Sequence, residues 1–201
     1  MNGFEKRTEI KKRQILNAAF QLMNTRQGIK NVTIDKLAQQ SEVGKTTIFK
    51  YFGNKEGVIH QVFKNYINSL TKEAEKIIAA NYSFEKSFIL LSNNKVHYIK
   101  KIHHQFYLDL MDYTTRPRGS GISLLMQKYT KDTVNVMLDL FHRGKKEGKV
   151  DLKYSDEFLL IYFQAIVEGI SKPQIYEHLA PYTNEWTELL LKGIAPDKKR
   201  V

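Results

Sequence analysis

Residues 33–56, TIDKLAQQSEVGKTTIFKYFGNKE, constrain the fold more than any other part of the chain. Apolar residues follow at helical spacing after Thr33, whose hydroxyl can cap a helix N-terminus. Residues 41–44 (Ser-Glu-Val-Gly) interrupt this spacing, and a second short helix is predicted over residues 45–52. Asn54 follows that helix and can cap the next one. Two short helices joined by a tight turn are typical of a helix-turn-helix, whose second helix enters the major groove of DNA.

The second short helix has an apolar and a polar set of residues. Ile48, Phe49 and Phe52 form the apolar set, and we expect them to face the protein interior. The polar set is then free to face outward, where side chains can reach base edges and phosphates. We therefore predict base contacts by Thr46, Thr47 and Lys50 and a contact to phosphate or guanine by Lys45.

A longer pattern covers about the first quarter of the chain. Its residues are Arg13-x-Ile15-Leu16-x-Ala18-Ala19-x-x-Leu22, Gly28, Thr33, Leu37-Ala38, Val43, Ile48-Phe49-x-Tyr51-Phe52 and Lys55-Glu56. The joint spacing resembles the N-terminal signature of the TetR family of bacterial transcription regulators. The resemblance implies an all-α fold of about nine helices, with an N-terminal helix-turn-helix domain and a C-terminal domain for ligand binding and dimerisation. It also implies phosphate contacts by Thr33, Tyr51 and Lys55.

Three positions depart from the family's pattern. Phe49 stands where Tyr is usual, so it lacks a hydroxyl that would contact a phosphate. Thr46 stands where Gly or Ala is usual, and Glu42 replaces a Gly that is common in the turn. These differences bear on which operator is read, and the DNA-binding module itself is still predicted.

The charge distribution agrees with DNA binding. The formal net charge is +11. Residues 1–60 hold 11 basic and 5 acidic residues, whereas residues 61–201 hold 21 and 16. Less than a third of the chain therefore carries over half of the excess positive charge, as expected of a domain that binds a polyanion.

The composition excludes several other classes of protein. Apolar residues make up 42% of the chain, which is enough to form a core, and no apolar run approaches the roughly 20 residues of a membrane span. The chain has no cysteine, which excludes disulfides and thiolate metal sites. Its charged start lacks the apolar region of a signal peptide. We therefore expect a cytoplasmic protein without a membrane partner.

The remaining apolar spacing also predicts helices. Residues 55–80 keep a helical period throughout and predict a long strut, and residues 114–121 form the clearest internal loop. We place a DNA-binding domain at residues 1–54 and a ligand-binding and dimerisation domain at residues 55–201. The helices are predicted at about residues 5–25, 33–40, 45–52, 55–80, 84–102, 106–113, 122–143, 155–170 and 184–193.

The last two helices are too apolar for solvent-exposed surfaces. A two-fold dimer explains this composition and would place two recognition helices one turn of DNA apart. We predict a homodimer interface of Phe158, Tyr162, Ile166, Ile170, Trp186 and Leu190. The family resemblance implies a small-molecule cavity farther up the chain, and the residues predicted to line it are His97, Tyr98, His104, Gln105, Tyr107, Met111 and Phe141.

The preferred function is a transcription regulator, most simply a repressor that a small-molecule effector releases from a near-palindromic operator. We predict no catalytic residue, metal or cofactor, because the histidines match no metal-ligand spacing and no nucleophile motif occurs. The alternatives are a helical enzyme or cofactor-binding protein with an incidentally basic N-terminus, and an architectural DNA-binding protein that does not switch.

Overall fold

The computed structural model describes the backbone of residues 3–115, 120–170, 175 and 178–197. This part of the chain is helical throughout its regular structure and contains no strand, so the predicted all-α fold is confirmed for it. Short 3-10 turns occur at Gly28–Asn31 and Ala180–Tyr182. The α-helices are α1 (Gly3–Met23), α2 (Ile34–Ser41), α3 (Lys45–Phe52), α4 (Lys55–Ala79), α5 (Phe84–Lys100), α6 (His104–Thr115), α7 (Ser120–Lys146), α8 (Asp156–Ile170) and α9 (Thr183–Ile194).

The predicted helix bounds are wrong mainly around α6. This helix begins at His104 rather than near residue 106, because the imidazole Nδ1 of His103 accepts a hydrogen bond of 3.1 Å from the Gln105 amide and caps the first turn. Residues 114, 115, 120 and 121 of the predicted loop are helical. The other four residues of that loop lie outside the described part.

The described residues group into two compact units. Unit 1 comprises those among residues 1–69 and 100–125, and unit 2 comprises those among residues 70–99 and 126–201. Helix α6 therefore belongs to the same unit as the helix-turn-helix. The predicted boundary between a DNA-binding domain at residues 1–54 and a second domain at residues 55–201 is a division by function and not by compactness. It stays a prediction.

The core of unit 1 joins the first four helices to α6. Phe106 of α6 is fully buried, and its ring centre lies 5.3 Å from those of Phe20, Phe63 and Tyr66. Edge-to-face packing at this distance is favourable for aromatic rings. The other buried apolar residues of the unit include Ile15, Ala18, Ala19, Met23, Val32, Leu37, Val43, Ile48, Val58, Ile59, Val62, Ile67, Leu110 and Tyr113.

The core of unit 2 joins α5, the end of α7, α8 and α9. Helix α8 starts where predicted, because the Ser155 hydroxyl accepts a hydrogen bond of 3.1 Å from the Phe158 amide. The buried residues of this core are Phe84, Phe88, Leu140, Phe141, Val150, Leu159, Phe163, Leu190 and Ile194. None of the helices within the described part is long and apolar enough to cross a membrane.

Candidate nucleic-acid interface

The helix-turn-helix of unit 1 consists of α2, residues 42–44 and α3. Thr33 caps α2 as predicted, since its hydroxyl oxygen accepts a hydrogen bond of 3.2 Å from the Lys36 amide. Glu42 reverses the chain with a φ of 56°. Glycine is usual in this left-handed conformation because it has no Cβ, whereas in other residues the Cβ comes unfavourably close to the following carbonyl oxygen. The departure of Glu42 from the family's pattern therefore falls where glycine is favoured.

Buried apolar residues fix the two helices against the rest of unit 1. Leu37 of α2 and Ile48 of α3 have no exposed surface, and Val43 in the turn is 4% exposed. Together they anchor both helices and the connection between them. The opposite side of α3 consequently faces outward.

The outward face of α3 differs from the sequence-based prediction in one residue. Phe49 was expected in the interior, but its side chain is 46% exposed. Successive residues of a helix are about 100° apart, so the buried Ile48 turns Phe49 away from the core. The prediction was wrong because the buried side of α3 includes Ile48 but does not extend the further 100° around the helix to Phe49.

The predicted DNA-contacting residues of α3 are all accessible to some degree. Lys45, Thr46 and Lys50 are exposed, and Thr47 and Tyr51 are half-buried. The most exposed strip therefore contains Thr46, Phe49 and Lys50, spaced three and four residues apart on one face. Whether each residue contacts DNA stays a prediction.

Lys45 is engaged in an ion pair across the two helices. Its ammonium contacts the carboxylate of Asp35 in the first turn of α2, and the two side chains are 58% and 76% exposed. Exposed ion pairs of this kind contribute little to stability. The pair places a negative charge beside a lysine that we expect to meet DNA.

The basic N-terminal half of α1 lies next to α3. The Lys12 ammonium is 5.9 Å from the ring centre of Tyr51 and 3.0 Å from the Glu9 carboxylate. Lys11 and Arg13 on either side of Lys12 are exposed. These cations extend the positive surface of α3 along α1.

The start of α4 is held close to the end of α3. The side-chain oxygen of Asn54 accepts a hydrogen bond of 2.8 Å from the Gly57 amide, so the predicted cap is confirmed. A Cβ on Gly57 would overlap the carbonyl group of Phe52. This glycine therefore permits the tight connection that places the half-buried Lys55 beside α3.

Helix α6 is attached to the turn that precedes α2 through Asp109. One carboxylate oxygen accepts a hydrogen bond of 2.7 Å from the Ile29 amide, and the other accepts one of 2.9 Å from the Gln105 side chain. Gly28 has a φ of +56°, and an added Cβ would lie 2.7 Å from Gln105 Cγ and overlap Asp109. The sequence predicts Gly28 as the left-handed stop of the first helix; its φ is left-handed, but α1 ends earlier, at Met23, and Gly28 begins the 3-10 turn. The contact of this turn with Asp109 was not predicted.

Two further polar links join α6 and the residues just before it to the rest of unit 1. The Asn24 side chain donates to the Lys101 carbonyl oxygen at 3.3 Å and accepts from the His103 amide. His60 Nδ1 of α4 lies 2.9 Å from the Tyr113 hydroxyl of α6. Partial burial, aided by the positive charge of Lys64, lowers the pKa of His60. These links bind α6 to both α1 and α4.

The residues predicted to bind an effector are divided between the two units. His97, Tyr98 and Phe141 belong to unit 2, and the other four lie on α6 in unit 1. Phe141 is fully buried and packs 5.1 Å from the Phe163 ring, and Gln105 holds Asp109. Both residues therefore have structural roles, and effector binding by any member of the set stays a prediction. His104 and Met111 are exposed, whereas Tyr98 and Tyr107 are half-buried.

The residues predicted at the dimer interface include both core and surface positions. Leu190 is 8% exposed and belongs to the core of unit 2, and Tyr162, Ile166 and Trp186 pack partly buried against that core. Phe158 is 49% exposed. The side chain of Ile170 lies outside the described part. Sequence reasoning did not select the most exposed apolar residues of the two helices, Ile161 at 60% and Leu189 at 63%.

Comparisons with known proteins agree with this geometry. Residues 15–62, which begin in the second half of α1 and continue into α4, match the family described as bacterial regulatory proteins, tetR family. The chain is 29% identical over 145 residues to the uncharacterized HTH-type transcriptional regulator YhgD of Bacillus subtilis (strain 168), covering 70% of this chain and 72% of that protein. It is 21% identical over 188 residues to the fatty acid metabolism regulator protein of the same organism, covering 90% and 94%.

Solved structures show the same fold at lower sequence identity. The transcriptional regulator FadR from Bacillus subtilis, in complex with stearoyl-CoA, superposes with a TM-score of 0.69 at 19% identity. The fatty acid degradation regulator FadR from Bacillus halodurans gives 0.67 at 20% identity. Each alignment covers 90% of this chain and 98% of the solved one.

Proposed function

We propose that this chain, which belongs to the TetR family of bacterial transcription regulators and is not an enzyme, is a homodimeric repressor released from its operator by a small molecule. The observation that carries the proposal is the exposed polar face of α3, fixed by the buried Ile48 within a match to the family's DNA-binding region. The experiments below test DNA binding, dimerisation and release separately.

Each predicted DNA-binding residue has a proposed role. Thr46, Thr47 and Lys50 contact base edges in the major groove, where hydroxyl and ammonium groups can pair with bases. Lys45 contacts a phosphate or a guanine after leaving Asp35. The remaining residues, which contact phosphates and fix the register of the domain on the duplex, are Thr33, Tyr51 and Lys55.

We assign dimerisation to α8 and α9. Support comes from the exposed apolar residues Phe158, Ile161 and Leu189 on these helices, since burial of large exposed apolar side chains by a partner is favourable. A two-fold axis through this surface would repeat the DNA-binding region once per subunit. The operator would then contain two inverted half-sites spaced by one helical turn or a multiple of it.

We assign effector binding to residues 55–201. The first effector class to test is long-chain acyl-CoA, because a structure of the same fold holds stearoyl-CoA. An effector can weaken operator binding only if it binds the DNA-incompetent conformation more tightly than the competent one. The long α4, which starts directly after α3, is the element proposed to transmit that preference.

DNA binding is tested by fluorescence anisotropy on the DNA that flanks the chain's own gene, against a scrambled duplex, across a salt series. The proposal expects tight, sequence-dependent binding that weakens steeply with salt, because phosphate contacts release counterions. The combined Thr47→Ala and Tyr51→Ala variant should lose operator affinity while keeping its helical circular dichroism. Unchanged affinity would overturn the placement of the recognition helix.

Dimerisation is tested by sedimentation of three variants, each of which replaces one exposed apolar residue by lysine. Ile161→Lys should shift the protein toward monomer, because a charge would enter the proposed interface. Leu152→Lys is the control, since Leu152 is 77% exposed in the connection before α8. A dimer that resists Ile161→Lys and Leu189→Lys alike would contradict the assignment.

Release is tested by adding stearoyl-CoA to the labelled operator complex, with free coenzyme A as the control. Dissociation by the acyl thioester alone would support both release and this effector class. Unchanged binding would reject the acyl-CoA class, and a screen of other small molecules would follow on the same complex. Tighter binding with an effector would replace the repressor-release scheme with corepression.

A further inference from the structure

The outward face of α3 includes an aromatic ring. Phe49 is 46% exposed, and Thr46 and Lys50 lie beside it on the same face. The buried Ile48 fixes the rotation of the helix and thereby the direction of Phe49. The ring therefore belongs to the surface that is proposed to enter the major groove.

A phenyl ring limits the partners that are available in that groove. It has no hydrogen-bonding group, so it can pair with neither the phosphates nor the donors and acceptors of the bases. The apolar group displayed in the major groove is the C5-methyl group of thymine, and Phe is among the side chains that contact it. We propose that Phe49 is a specificity-determining residue that contacts a thymine methyl group in each operator half-site.

The neighbours of Phe49 are consistent with this role. Lys50 is exposed beside the ring, and the base contact proposed for its ammonium would hold this face of the helix against the base edges. Thr46 lies three residues earlier, which is about 4.5 Å along the helix axis. That separation is close to the step of about 3.4 Å between bases on one strand, so Thr46 and Phe49 would meet adjacent base pairs.

The inference rests on the proposed function, because it needs α3 to enter the major groove. The competing arrangements place the ring against deoxyribose or leave it in solvent. Neither of these depends on a base methyl group, so methyl dependence separates them from the proposal.

The experiment begins with operator sequences selected by the full-length protein from a random duplex library. Each thymine of a selected half-site is then replaced by deoxyuridine, which lacks only the C5-methyl group. Dissociation constants are measured by anisotropy for the unchanged protein, Phe49→Ala and Lys50→Ala. Circular dichroism checks that the variants stay folded, as expected for substitutions at exposed positions.

The proposal expects one thymine position per half-site at which deoxyuridine weakens binding of the unchanged protein by about fourfold, the effect of one buried methyl-sized group. Phe49→Ala should bind thymine and deoxyuridine equally at that position. Lys50→Ala should bind both more weakly but keep the fourfold ratio. Phe49→Tyr, which retains the ring, should also keep it.

Two outcomes would overturn the inference while leaving the proposed function intact. One is selected, salt-sensitive binding without any deoxyuridine effect. The other is a deoxyuridine effect that persists undiminished in Phe49→Ala, since another residue would then contact the methyl group. Failure of the unchanged protein to select any sequence would overturn the proposed function together with the inference.

Discussion

Asp109 accepts a hydrogen bond of 2.7 Å from the backbone amide of Ile29, across 80 residues of sequence. The bond joins α6 to the turn before the helix-turn-helix and needs the close approach of the chain at Gly28. Asp109 is half-buried, and a hydrogen bond from a backbone amide to a carboxylate is stronger than one to a neutral acceptor. The geometry of the DNA-binding helices therefore depends on a residue outside the family-matched region.

Gly28→Ala is expected to destabilise unit 1. An added methyl group would overlap the Asp109 carboxylate, and the φ of +56° is strained for any residue with a Cβ. Gly148→Ala is the control for backbone strain, because Gly148 has a φ of +66° but open space around its Cβ position. Urea unfolding should show a loss for Gly28→Ala about 1–3 kcal/mol larger than for Gly148→Ala. Equal losses would mean that Asp109 moves away without cost.

Removal of the Asp35 carboxylate is expected to strengthen DNA binding. The Asp35→Asn variant frees Lys45 from its ion pair and removes a negative charge beside the recognition helix. Operator affinity should rise by up to about fivefold per half-site, since exposed pairs of this kind are worth about 0.2–1 kcal/mol. The gain should shrink at high salt.

Glu73→Gln provides the control for this charge change. Glu73 pairs with Lys76 farther along α4, at 3.1 Å, so its removal alters the net charge by the same amount. Anisotropy titrations should show little change in operator affinity for this variant. An equal gain in both variants would assign the effect to net charge rather than to Lys45.

Glu42→Gly is expected to stabilise the helix-turn-helix. It relieves the left-handed conformation of Glu42 and removes a negative charge from the C-terminus of α2, where the helix dipole is unfavourable to anions. The free energy of unfolding should rise by about 0.5–1.5 kcal/mol. Glu42→Gln keeps the strained backbone and removes only the charge, so it should give a smaller gain. If both variants gained equally, backbone strain would contribute nothing.

Unit 1 is expected to lose stability as the pH falls through the histidine range. Burial lowers the pKa of His60 in the folded state below its ordinary value of 6.5. The unfolded chain then binds a proton more readily, so stability falls as the pH decreases from above 6.5 toward the folded pKa. In a His60→Asn variant, the asparagine side chain would place a polar atom near the position of the imidazole Nδ1, but it binds no proton in this pH range. His60→Asn should therefore lose less stability than the unchanged protein between pH 7.5 and about pH 5.5, as measured by urea midpoints.

Local signals in the sequence predicted the frame of the helix-turn-helix. Thr33 and Asn54 cap helices through bonds to residues three positions away, and Gly28 adopts a left-handed φ of 56°. Such features depend on neighbouring residues alone, so residue type and spacing suffice to locate them. The bounds of α3 were predicted correctly for the same reason.

The missed features depend on contacts between distant residues. Phe49 is exposed because its neighbour Ile48 is the residue that packs into the core. The hydrogen bond between Asp109 and the Ile29 amide joins residues 80 positions apart. Likewise, helical period cannot distinguish Leu190, which enters the core of unit 2, from Leu189, which is 63% exposed. Composition identified α8 and α9 as apolar helices, but it could not show which of their faces pack against the core of unit 2.

The close packing at Gly28 has a genetic consequence. Every missense codon at this position adds a Cβ beside Asp109, so mutant hunts for constitutive expression should recover alleles here as readily as in α3. The described residues that form the core of unit 2 all lie outside unit 1, so with the proposed interface on α8 and α9 such a mutant subunit would still assemble with normal subunits. Mixed dimers would carry one damaged DNA-binding region, and the mutant allele would be dominant over the normal one.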